Sequence, residues 1–195
     1  MLSKNSIKIA VLSVAILVFY FDVSSYAAED GFAIGRKIES HHFTMYYAQG
    51  VDPAIISNQF SISLSDRILA GESLDKNNSA QESIAEAVDV LFVRVCDILD
   101  MNLYSFHGNI KVCQNEKEFR SIYKILFGKD IVKEISFYDF NSNTIYLPQE
   151  SFKREILGHE IAHAVICHYF VVLPSVKIQE VLAMFVEFQL RKSGS

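Results

Sequence analysis

Leu157-Gly158-His159-Glu160-Ile161-Ala162-His163-Ala164 is the stretch on which the reading of this chain turns. Its apolar residues suit a helix, and side chains four apart on a helix stand on one face, one turn above the other. The imidazoles of His159 and His163 can then reach one ion at about 2.0–2.1 Å, the zinc–nitrogen distance. Glu160, beside the first of them, can point at water held by that ion without being a ligand itself. The plainer reading is a core helix with two hydrogen-bonded histidines. An apolar helix with a carboxylate at the second position is nevertheless what metal-assisted hydrolysis requires, with Glu as general base.

Working outward, the active-helix pattern covers about residues 152–169, and Pro174 separates it from a last helix over about 176–191. Upstream, residues 135–140 and 144–147 read as strands joined by Asn141-Ser142-Asn143. Asn tolerates the left-handed backbone of tight turns, so this is a hairpin ended by Pro148. Residues 116–127 read as a helix entered through an acidic first turn, and 110–112 as a short strand. Ile84, Ala87, Val88, Leu91, Phe92, Val95, Cys96 and Leu99 recur at helical spacing behind a capping box at Ser79-Ala80-Gln81-Glu82. Residues 41–47 suggest a first strand, and 54–70 a less regular helix. The polar stretch 71–81 is a solvated connection within one domain. Strands and helices in this mixed order predict a single α+β domain over residues 29–195.

The first 28 residues follow their own logic. Lys4 and Lys8 precede a nearly uncharged apolar run at 9–21, and Ser25-Tyr26-Ala27 offers a small-x-small cleavage pattern. This describes a secretory signal peptide, and hence an exported (periplasmic or extracellular) protein. Left uncut, the run would tether the domain to a membrane, although it is short of the roughly 20 residues of a spanning helix. The chain has a net charge of −5 and no basic run, which argues against nucleic acid as a partner. Cys96, Cys113 and Cys167 show no CxxC spacing. Cys96 and Cys167 fall on apolar helix faces, where a free thiol is a small hydrophobe. His41, His42 and His107 read as structural or solvated rather than as a second metal site.

A third ligand is needed near His159 and His163. The metzincin pattern, with a further His six residues on, places Tyr169 there and Ile166 where its Gly belongs. No Asp follows Asp139. His168 faces another side of the helix, at the rim of any cleft. Two carboxylates remain, Glu180 and Glu187, both on the last helix and on one face.

From 143 to 187 the sequence resembles the gluzincin peptidases, in particular small peptidase MA-like domains. The resemblance rests on the strand 144–147, His159-Glu160-x-x-His163, Pro174, Glu180, Ala183 and Phe185. It implies a zincin-like α+β domain with a small mixed sheet, an HExxH helix, and a C-terminal helix supplying Glu180 as third zinc ligand. It also implies a peptide or protein substrate, cut by a zinc-activated water with Glu160 as general base. The substrate would add as a strand to a sheet edge at about 143–147. Val181 stands where the family has Gly, and 16 residues between His163 and Glu180 make a short linker. Tyr138, Tyr146, His168 and Tyr169 are candidate donors to an oxyanion. The alternative is a non-catalytic domain that holds zinc or a peptide without cutting it.

Overall fold

The computed structural model describes residues 30–60, 80–131 and 133–193. The signal segment, Ser79 of the capping box, residues 71–79 of the polar connection and residues 61–70 of the helix expected over 54–70 lie outside them. Among the described residues the order is β1 (Ile34–Glu39), β2 (Phe43–Ala48), α1 (Pro53–Gln59), α2 (Ala80–Leu99), β3 (Gly108–Cys113), α3 (Glu116–Phe127), β4 (Phe137–Asp139), β5 (Thr144–Pro148), a 3₁₀ turn (Gln149–Ser151), α4 (Arg154–Tyr169) and α5 (Val176–Ser193). This is an α+β domain built on one mixed five-stranded sheet of order β1-β2-β3-β5-β4. β2, β3 and β5 run parallel, and the outer strands β1 and β4 are antiparallel to their neighbours.

Side chains alternate across a strand, so β3 and β5 each serve two cores. Phe43, Met45 and Tyr47 of β2, Ile110 and Val112 of β3, and Ile145 and Leu147 of β5 all enter the main core with α1, α2, α4 and α5. Their neighbours Cys113 and Tyr146 face the other way, into a smaller core under α3 with Phe119, Ile122 and Ile131. Lys111 leaves β3 on that same side to pair with Asp30. The Asp30 carboxylate also accepts from Tyr146 Oη at 2.7 Å and from the Phe32 amide at 2.9 Å. The start of the described chain is thereby fastened to the middle of the sheet.

The helix α3 has the bounds its pattern predicts. Asn115 caps it, its side chain accepting from the Glu118 amide at 3.1 Å, and Gly128 ends it with a left-handed φ of 66°. The β4–β5 hairpin forms as expected, with Asn143 at a φ of 48°. One expectation is overturned. The resemblance makes residues 143–147 a sheet edge able to receive a peptide strand, but β5 is hydrogen-bonded to β3 on one side and β4 on the other. The edge beside α4 is β4. Strand β1 has no counterpart in the sequence pattern, because its residues are exposed and carry no apolar alternation.

Candidate metal centre and cleft

The two helices that close the main core also build the site. Buried Leu157, Ile161, Ala164 and Val165 fix the inner face of α4, and Ala183, Val186 and Leu190 fix that of α5. Close approach is allowed at Gly158, where a Cβ would come within 2.2 Å of Leu190 Cδ1. The next residue is His159. Packing at this point therefore holds α5 near the histidine pair.

His159 Nε2 and His163 Nε2 stand 3.3 Å apart. Glu180 on α5 brings Oε2 to 3.6 Å from His159 Nε2 and Oε1 to 3.5 Å from His163 Nε2. Ligands about 2.1 Å from a tetrahedral zinc are separated by about 3.4 Å, by simple trigonometry on the bond length. The three donors could hold such an ion together with a fourth ligand from solution. They form the metal-ligating cluster found among the described residues. Glu187, the other carboxylate left open by the sequence, takes a different place. It accepts from His159 Nδ1 at 3.2 Å and pairs with Arg191. That bond puts the proton on Nδ1 and leaves a lone pair on Nε2, aimed into the cluster.

Gln179 shares the cleft lining with His163; its Nε2 donates to Pro174 O at 2.9 Å and its Oε1 accepts from Cys167 Sγ. For His163 itself the setting favours the neutral ring. Burial, and then the neighbouring His159, push its pKa below the ordinary histidine value. A neutral imidazole is the form that ligates a metal. Glu187 and Gln179 are contributions that sequence reading missed. For Glu187 the signal was its position two turns beyond Glu180; for Gln179 there was none, because a side-chain contact across a turn leaves no spacing pattern.

Glu160 is buried, and burial pushes its carboxyl up to about 7. Opposing this, Ser136 Oγ donates to Oε1 at 2.6 Å, and His159 and the Tyr138 backbone also favour the charged form. Ser136, just before β4, is the third residue the sequence did not reveal. A cleft of about 310 Å³ opens over these groups, lined by Ser136, Tyr138, His159, Glu160, His163 and Glu180 among others. Cys167, on its wall, is a free thiol held by Gln179.

Of the four candidate oxyanion donors, Tyr138 alone lines this cleft, and its hydroxyl donates to Asn143 Oδ1 at 2.9 Å. Tyr146 is committed to Asp30 on the far face of the sheet. His168 donates to Ala164 O and packs against Phe106 and Phe140, whereas Tyr169 is exposed at the last position of α4. His41, His42 and His107 do not converge on an ion: His42 stacks on Phe92, and His107 bonds Thr44 and the His41 carbonyl. No protein-family model, curated protein or solved structure matches this chain.

Proposed function

We propose that this domain is a zinc-dependent peptidase of the gluzincin type, with a zincin-like fold. The observation that carries the reading is the triangle of His159, His163 and Glu180 donors beside a buried Glu160 in one cleft. The donor set of two imidazoles and one carboxylate suits zinc, which when bound supplies Lewis acidity toward water and a peptide carbonyl. The remaining chemistry belongs to the chain. Glu160 is the general base: its carboxylate takes the proton of the attacking water and returns it to the leaving amine. A pKa raised toward neutrality by burial suits that exchange. Ser136 Oγ donates to the carboxylate and orients it. A carboxylate has about four acceptor positions, so a lone pair stays available for the proton. Glu187 holds the His159 imidazole in the tautomer and direction the ligand role needs.

The test is zinc content and peptide turnover in three proteins. The wild type is expected to hold one zinc per chain. Glu180→Ala is expected to lose most of it. Glu160→Gln is expected to keep zinc and lose turnover by about 10²–10⁴-fold, the usual contribution of a general base. Wild-type protein that folds without binding zinc sinks the proposal. One observation favours the second reading, a module that holds a peptide without cutting it: Tyr138 has its hydroxyl engaged by Asn143. Stoichiometric zinc with peptide binding but no turnover in the wild type would decide for that module.

A further inference from the structure

The connection and helix that carry Glu180 turn an apolar surface to solvent. Between α4 and α5, residues 170–173 read Phe-Val-Val-Leu, and Val171 and Val172 are 102% and 83% exposed, so both stand clear of the domain. On α5, Val181, Phe185 and Phe188 are also exposed, at spacings of four and three that share one face. Helix α5 directs its acids, Glu180 and Glu187, toward the histidine pair and leaves these apolar residues outside. Large apolar side chains exposed in such number on one connection and the helix after it mark an interaction surface.

We infer that the occupant of this surface is an anionic lipid bilayer. Charge points that way. In a chain of net charge −5, the only formal charge from Ala164 through Gln179 is Lys177, and Arg191 and Lys192 lie at the other end of α5. Apolar side chains bordered by Lys177 and Lys192, with Glu180 turned to the histidine pair and Glu187 paired with Arg191, suit the headgroup–acyl boundary. Shape agrees. Side chains that protrude need no matching pocket in a fluid hydrocarbon layer. The chain outside the described residues adds a third argument. It carries the apolar run 9–21 behind Lys4 and Lys8, and the eight residues 22–29 separate that run from Asp30. At no more than about 3.3–3.6 Å per residue, eight residues reach at most about 28 Å, so a retained run would keep the domain at a bilayer. Val176 and Gln179, next to the docking surface, also line the cleft. If the peptidase reading holds, docking turns the cleft toward polypeptide lying on, or emerging from, the membrane; the docking itself does not depend on that reading.

The chain contains no Trp, so a single introduced one reports its own surroundings. Full-length Val171→Trp and Phe185→Trp are mixed with vesicles of phosphatidylcholine and phosphatidylglycerol brominated along the acyl chains; Ile34→Trp, exposed on β1, is the control. The expected result is a blue shift and about two-fold or greater quenching at 171 and 185, with little at 34. Adding Val171→Asp and Val172→Asp to the Phe185→Trp protein is expected to remove most of that quenching. Fluorescence of the Val171→Trp and Phe185→Trp proteins that vesicles leave unchanged would overturn the inference. So would a blue shift without lipid, whether it grows with protein concentration (a second copy) or is constant on dilution (residues 9–21 of the same chain). Quenching is also measured with Glu160→Gln added to the Phe185→Trp protein, so failure of the docking and failure of the catalytic reading are seen separately.

Discussion

Glu187 is the residue whose role differs most from its sequence context. It sits two turns past Glu180 on the same face, yet it reaches His159 from behind, through Nδ1 rather than Nε2. An outer partner of this kind fixes the tautomer and raises ligand basicity, and losing one commonly weakens metal affinity by about 10–100-fold. Glu187→Ala is therefore expected to lower zinc affinity by about that factor in a chelator competition, with the fold unchanged by circular dichroism. Glu187→Gln, which keeps an acceptor oxygen, is expected to fall between. Equal affinity in all three proteins would show that Glu187 serves only Arg191. At this scale the ligands are legible in the sequence because helical spacing is local: His159 and His163 share a face by arithmetic. The orienting residues Ser136 and Glu187 meet their partners by packing between elements, which periodicity does not encode.

Among the elements, the contact between α4 and α5 bears most directly on the site. Gly158 lets the helices approach, and any side chain there must displace Leu190, which is itself buried. Gly158→Ala gains helix propensity of about 1 kcal/mol but crowds the seam, and overpacking typically costs about 1–3 kcal/mol. Leu190 meets the new methyl with a terminal carbon on a flexible side chain, so the net loss of stability is expected to be small, about 1 kcal/mol. The zinc affinity is expected to fall by more than that implies, because α5 carries Glu180. A thermal melt and a zinc titration on the same variant separate the two effects. The helices α2 to α5 are legible to within a few residues because each buries an apolar stripe or ends at a cap. Strand order is not. The hairpin partner β4 is announced by the Asn-rich turn, but whether β5 has a second neighbour depends on parallel pairing with β3 across α3, which leaves no local pattern. β1 is hidden for a related reason: an exposed edge strand has no buried face to write in the sequence.

For the molecule as a whole, the two cores share one sheet, and Asp30 ties its underside. Burial opposes the charged form of Asp30, but Lys111, the Phe32 amide and Tyr146 overcome it and hold the carboxyl below its ordinary value of 3.8. The sign follows from linkage: a carboxylate depressed in the folded state adds stability above its unfolded pKa, and that stability drains away as pH falls through the folded value. Denaturant titrations on the acid side of the ordinary carboxylate pKa, about 4, are expected to show a loss in the wild type that Asp30→Asn lacks. Asp30→Ala, which strands the Lys111 ammonium, is expected to cost about 3–5 kcal/mol near neutrality. An unchanged acid limb in Asp30→Asn would assign the loss to other carboxylates.

The position of that clip has a mechanical consequence. Tension drawn through the N-terminal segment enters the domain at Asp30 and passes by way of Lys111 and Tyr146 into β3 and β5, the middle of the sheet. The load bypasses the β1–β2 ladder, which a pull at the edge would unzip one hydrogen bond at a time. A domain hung from its N-terminus would thus be suspended near its centre, and the helices bearing His159, His163 and Glu180, on the opposite face, stay off the line of force until the clip gives way.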